Sequence, residues 1–244
     1  MRIPRIYTPG PLTEAASVVL DASPSQHLAK VLRKQVGDPV VIFDGRGSEY
    51  SATITSVDKR AVTLQVGSTR LSDVESPLTT ELAIAISRGE RMDWVVQKAT
   101  ELGVSKITPL ITERVEVKLP ADRAAKRIAH WQQVAVSACE QSGRTRLPEI
   151  ATITPLRTWL EATSSERRFV LHHRAGTTDA FAGPTPASVT LLIGPEGGLT
   201  ADEISAAQSY QFEALQLGPR VLRTETAPLA ALTLFQARWG DIAG

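Results

Sequence analysis

The chain has 244 residues, enough for one large domain or two small ones around a buried core. Its 42% hydrophobic and 22% charged residues are ordinary for a soluble globular protein, and no apolar run reaches the ~20 residues that span a bilayer. A formal net charge of +1 excludes attraction of nucleic acid by the whole protein, so any such site must be a local patch. The single cysteine, Cys139, excludes an internal disulfide and a thiolate metal cluster, and no metal is expected. The opening MRIPRIYTPGPL lacks the apolar core of a signal peptide, so the expected setting is the reducing cytoplasm.

Residues 1–72 read as a small β-rich unit. A helix over 25–35 precedes β-favouring runs at 40–43, 50–54 and 61–66. Gly37-Asp38, Asp44-Gly45-Arg46-Gly47 and Asp58-Lys59-Arg60 punctuate them at the spacing of hairpins or a barrel. The polar stretch ending in Pro77 marks a boundary, leaving 73–244 as a second unit. There the pattern alternates: strand 82–87, helix 90–102, strand 104–111, helix 121–142, strands 168–171 and 189–193, helix 201–210, strand 214–217 and helix 227–239. Such alternation predicts an α/β domain with a mostly parallel sheet. Residues 174–188 read as a loop.

One junction stands out. The run Leu191-Leu192-Ile193 ends in Gly194-Pro195-Glu196-Gly197-Gly198, and Thr200 with Glu203 three residues later forms a capping box for the next helix. Ligands of open α/β sheets settle at such strand-to-helix turns, where glycine allows close approach of backbone. The turn is not a P-loop, because no Lys-Ser/Thr pair follows it. A G-x-G-x-x-G fingerprint is absent too, since Tyr50 fills the third glycine position after Gly45-Arg46-Gly47, and there is no G-x-S-x-G elbow. Leu217-Gly218-Pro219-Arg220-Val221-Leu222-Arg223-Thr224-Glu225-Thr226 repeats the arrangement of strand end, Gly-Pro turn and helix start. Two such turns close together could face each other across one pocket.

IGPEGGLTADEI and LGPRVLRTETA resemble the two cofactor-loop motifs of the 16S rRNA uridine-N3 methyltransferases (the RsmE family) of the SPOUT superclass. RIPRIY, HLAKVLRKQVGD, SRGERMDWVVQKATELGV, ITPLITERVEVK, ACEQSGRTRLPEI and LHHRA extend the resemblance over nearly the whole chain, in family order. It implies an N-terminal PUA-like β-barrel for RNA and a C-terminal SPOUT domain with a deep trefoil knot. It also implies a homodimer, S-adenosylmethionine as cofactor, and 16S rRNA, within the 30S subunit, as substrate. Two positions depart from the pattern, His173 and Pro228; a proline in a first helical turn is tolerable.

By that resemblance Leu171, Gly194, Gly198, Leu217, Gly218, Leu222, Arg223 and Thr224 are expected around the cofactor. Methylating N3 of uridine removes a proton and spreads negative charge over O2 and O4, so a cation aimed at those oxygens helps. Arg223 is the first candidate and Arg144 its partner. Glu196 could orient the pocket, take the proton if burial raised its pKa, or be only a charge at a helix N-terminus; Glu225 is the alternative base. Arg2, Arg5, Lys30, Arg33 and Lys34 are candidates for RNA phosphates, or else ordinary surface charge. Lys98 and Glu101 read as an i,i+3 surface ion pair or, as the resemblance implies, a pair that serves domain packing, and Cys139, His27 and the His172-His173 pair read as structural. A catalytically silent RNA-binding module and a tRNA-directed enzyme are the competing readings.

Overall fold

The computed structural model describes residues 3–58, 61–72, 74–115, 120–172 and 181–242. It divides into two compact units: Met1–Glu75 with Val136–Leu147, and Ser76–Ala135 with Pro148–Gly244. The break falls after Glu75 rather than after residue 72, and the end of a long helix joins the first unit. Hydrogen bonds explain that association. Glu75 receives the Arg144 guanidinium at 2.9 Å and the backbone N–H groups of Thr145 and Arg146, both at 2.9 Å. Glu140 accepts the Tyr7 N–H at 3.0 Å. No linear reading of the chain foresees such pairings.

The first unit contains β1 (Arg5–Tyr7), β2 (Ser17–Val19), α1 (Ala22–Gln26), β3 (Pro39–Phe43), β4 (Ser48–Val57) and β5 (Val62–Leu71). They form a five-stranded sheet in the order β1-β3-β4-β5-β2, antiparallel except where β1 meets β3. Alternate residues Val40, Ile42, Ala52, Ile54, Val62, Leu64 and Val66 face one core, closed by Ile6, Leu20 and Leu28. The helix expected over 25–35 is shorter. α1 passes into a π-helical turn, His27–Val31, and the chain then leaves the helix where Arg33 adopts a left-handed φ of 51°.

The second unit contains β6 (Thr79–Ala85), α2 (Arg91–Glu101), β7 (Lys106–Ile111), α3 (Ala121–Ser142) as far as Ala135, β8 (Glu149–Ile150), β9 (Thr154–Pro155), α4 (Leu156–Ala162), β10 (Arg167–Leu171), β11 (Ser188–Ile193), α5 (Ala201–Ser209), β12 (Glu213–Leu215) and α6 (Ala227–Trp239). Its strands are parallel in the order β12-β10-β11-β6-β7-β8, with β9 also beside β7. Both sheet faces are covered, which is why the strands are apolar without a break. Phe169, Leu82, Ile84, Leu191 and Ile193 pack on the side of α2 and α6, with Met92, Val95, Ala231 and Phe235. The alternate residues Val170, Ala83 and Leu192 pack on α4 and α5, against Trp159 and Ala207. Pro228 sits in the first turn of α6, and the helix runs on intact to Trp239. The departure at His173 lies outside the described residues.

Candidate active site

Sheet order brings three strand ends together. β10, β11 and β12 are neighbours and parallel, so their carboxyl ends open on one side, where Leu171, Ile193 and Leu215 end the strands. The turns that follow β11 and β12 enclose a cleft of about 520 Å³ between them, a volume suited to a small-molecule ligand. Gly194, Gly198, Leu217, Gly218, Leu222, Arg223 and Thr224 all line it together with Leu171, so the cleft gathers every residue expected at the cofactor. His172, read as structural, lines it too; its backbone N–H donates to Leu215 at 3.0 Å.

Glycine is required here for stated reasons. Gly198 and Gly218 have φ of +70° and +75°, and a Cβ at either would project into open space, so what excludes a side chain is the backbone itself. At Gly194 a Cβ would meet the Leu199 N–H nitrogen and Cγ, both at 2.9 Å. The β11–α5 turn is held by the Gly198 N–H donating to Pro195 at 2.8 Å and by the full capping box of α5. Glu203 serves twice: one oxygen accepts the Thr200 N–H at 2.9 Å, the other the Glu113 N–H at 2.8 Å.

Glu196 faces cations. Its carboxylate takes the Arg91 guanidinium at 2.7 Å and, more weakly, the Arg88 N–H at 3.4 Å. Partial burial pulls its pKa upward, but bonds from its own backbone, Arg91 and Arg88 outweigh that and hold it below the ordinary 4.5. A carboxylate so stabilised is a poor proton acceptor at neutral pH. Arg91 also lies 3.9 Å from Glu225, so one side chain at the start of α2 touches a carboxylate of each turn. Arg91 was not among the candidate residues. An arginine at a helix start, where the macrodipole disfavours cations, was the available signal.

Arg223 is exposed in the β12–α6 turn, and its carbonyl accepts the Thr226 and Ala227 N–H groups, both at 2.9 Å. Its expected partner Arg144 is placed otherwise. It is buried in the first unit on the Glu75 carboxylate, 6% exposed, and does not line the cleft.

Comparison with known proteins now bears on this geometry. Residues 74–236 match the RNA methyltransferase domain family, and residues 20–67 the RNA methyltransferase PUA domain family. Ribosomal RNA small subunit methyltransferase E of Buchnera aphidicola (subsp. Schizaphis graminum) is 33% identical over 99% of this chain and 98% of its own. The chain belongs to that methyltransferase family. The ribosomal RNA small subunit methyltransferase E of Neisseria gonorrhoeae, solved bound to S-adenosyl methionine, superposes with a TM-score of 0.92 at 38% identity, over 99% of this chain and 100% of that one. A Legionella pneumophila protein solved with the bound cofactor SAM gives 0.95 at 40% identity over 99% and 100%. The family thus assigns a PUA-like N-terminal domain and a methyltransferase domain built on the parallel sheet.

For a methyltransferase of this family, the placement of the basic candidates in the PUA-like unit is informative. Arg5 is not free for phosphate: its guanidinium pairs with Glu49, donates to the Gly143 carbonyl at 3.0 Å and lies 5.2 Å over the Phe43 ring. Lys34 is mostly covered and lies 3.9 Å from Asp38. Lys30 and Arg33 are exposed, beside the exposed apolar Val31, Leu32 and Val36. Arg2 lies outside the described residues. Lys98 and Glu101 form the expected pair at 2.8 Å, and Cys139 is buried, its pKa pushed up to about 12 chiefly by burial.

Proposed function

We propose that this protein transfers a methyl group from S-adenosylmethionine to N3 of a uridine in the 16S RNA of the small ribosomal subunit. The observation that carries the reading is the cleft between the two Gly-Pro turns, in a family whose similar members were solved with this cofactor at the same fold. The cleft fits such a ligand: apolar Leu171, Leu217 and Leu222 suit an adenine, and the glycine backbones of the two turns suit its polar edges and the ribose. Bound there, the cofactor supplies an electrophilic methyl group on a positively charged sulfur.

The chain's own residues do the rest. Both turns fix the donor, so that positioning supplies much of the rate. Arg223, exposed beside the cleft, stabilises the charge that develops on the uracil oxygens. Glu196, held ionised by Arg91, orients the pocket, and Glu225 is the lining carboxylate left to accept the N3 proton. Arg144 then acts by holding Glu75, not as a catalytic group. The PUA-like unit, taken as residues 1–72, contributes RNA affinity through Lys30 and Arg33.

The same reading includes a trefoil knot through the cofactor turns, supported by the family resemblance, and work in the cytoplasm, where ribosomes are found. A homodimer is supported by exposed Val221, Leu234 and Ile242 in and around α6. Weak net charge supports the assembled 30S particle as substrate over free RNA. The test is to incubate the protein with S-adenosylmethionine and unmethylated 30S subunits, then seek 3-methyluridine in digested RNA by mass spectrometry. Its absence there despite cofactor binding, or its appearance in a parallel incubation with tRNA alone, would overturn the reading.

A further inference from the structure

Two arginines stand side by side in the first unit. The turn between β3 and β4 meets the segment that follows α3 through an isolated antiparallel bridge, with Arg46 opposite Arg146. The Gly47 N–H donates to the Thr145 carbonyl and the Leu147 N–H to the Gly45 carbonyl, both at 3.2 Å. Those bonds flank the arginines, which makes them the non-hydrogen-bonded pair of the bridge, the arrangement that brings side chains closest on one face. Like charges directly opposite each other are destabilising. We propose that Arg46 and Arg146 form a clamp for a phosphate of the RNA backbone. The inference rests on the RNA-methylation reading above and adds a contact that the PUA-like segment 1–72 does not make alone, since Arg146 comes from far beyond it.

Both side chains are exposed, and neither makes an ion pair or a side-chain hydrogen bond among the described residues. The carboxylates close by are turned to other groups. Asp44 accepts the Arg46 backbone N–H at 2.7 Å. Glu75 takes the Arg144 guanidinium and the N–H groups of Thr145 and Arg146, and Glu49 pairs with Arg5 and, at 3.5 Å, with Arg70. Arg146 is also placed rather than loose. Gly47 has a φ of +117°, and a Cβ there would meet Nη2, Nε and Cζ of Arg146 at 3.0, 3.1 and 3.2 Å. The guanidinium therefore lies face-on against the turn, in room that only glycine leaves. An anion between the two cations removes their repulsion, and paired guanidinium forks match the oxygens of a phosphate. The site is open to solvent, which suits a polyanion running over the surface better than a small ion that would keep its water. Phosphate contacts of this kind set register and orientation on RNA without reading its sequence.

The test measures binding of the whole protein to unmethylated 30S subunits over a series of salt concentrations. Each phosphate contact adds about one to the slope of log affinity against log salt. Arg46→Ala and Arg146→Ala should therefore each lower the slope by about one, and the double variant by about two. Arg146→Lys should keep the slope and lose part of the affinity, because an ammonium holds the charge without the fork. Urea melts separate this from a structural role: with the repulsion gone, neither alanine variant should unfold at lower urea than the wild type. Two results overturn the clamp. One is a slope that the alanine variants leave unchanged; the other is a lower slope accompanied by melts shifted to lower urea, which would make the pair part of the fold. Absence of 3-methyluridine with the slope effect intact would overturn the enzymatic reading and leave the clamp standing.

Discussion

The two turns that frame the cleft have nearly the same sequence plan but differ in how they are held. The β11–α5 turn is braced from several sides: Arg91 and the Arg88 N–H hold Glu196, Arg114 holds the Gly197 carbonyl, and a complete capping box starts α5. The β12–α6 turn has less. Thr226, at the N-cap of α6, makes no side-chain cap bond among the described residues, Gly218 accepts a 3.3 Å bond from Gln216, and Arg220, Val221 and Arg223 are exposed. One wall is therefore built before any ligand arrives, and the other presents its cations and apolar side chains outward. Both turns line the cofactor cleft, and the open one also presents exposed Arg220 and Arg223 to what lies outside it.

The sharpest way to break that contrast is Arg223→Ala. Removing the charge from the open turn should lower kcat by about 10²-fold or more, with a smaller loss of S-adenosylmethionine affinity from the cleft that Arg223 lines. Unchanged turnover on 30S subunits would remove Arg223 from the mechanism. Gly194→Ala attacks the braced turn instead. Its methyl would lie 2.9 Å from Leu199, so the turn must shift, and S-adenosylhomocysteine affinity by calorimetry should fall about tenfold or more.

Arg91→Ala joins the two cases, because Arg91 reaches both Glu196 and Glu225. Its side chain is 43% exposed, so unfolding free energy should change by less than about 1 kcal/mol, while kcat/KM falls about tenfold. A loss of stability without loss of kcat/KM would make it a surface pair only. Thr200→Ala removes half of the capping box and should cost about 1 kcal/mol in denaturant melts with little change in kcat.

The smallest effect is in acid. The Glu196 carboxyl is held below its ordinary 4.5, so its contribution to stability is fully present above that value and is lost as pH falls through the lower folded value. The difference in stability between wild type and Glu196→Gln should therefore be constant near neutrality and shrink in acid. A difference that grows on acidification would contradict the assigned direction.

Much of the second unit was legible because its elements are long or their signals local. The period of α2 and α3, and the capping box at Thr200, are properties of neighbouring residues. Three-residue β1 and β2, and α4 with seven residues, were not foreseen, because so short a stretch carries too little periodicity. At the site, the glycines and apolar residues of both turns were readable from their motifs. Arg91 was not, because its meaning depends on two carboxylates more than a hundred positions away.

Arg144 shows the same limit from the other side. Its neighbourhood in the chain suggested an active group, and its partner turned out to be Glu75, 69 positions earlier. By itself the sequence determined the order of the longer strands and helices, the two Gly-Pro turns, the capping box and the family they signal, because each rests on residues close in the chain. Only the tertiary structure decided that β10, β11 and β12 end side by side, that Glu196 is paired with Arg91, and that Arg144 is committed elsewhere. Parallel pairing and ion pairing join residues far apart in sequence, and nothing in local composition encodes which of many possible partners the folded chain will bring within bonding distance.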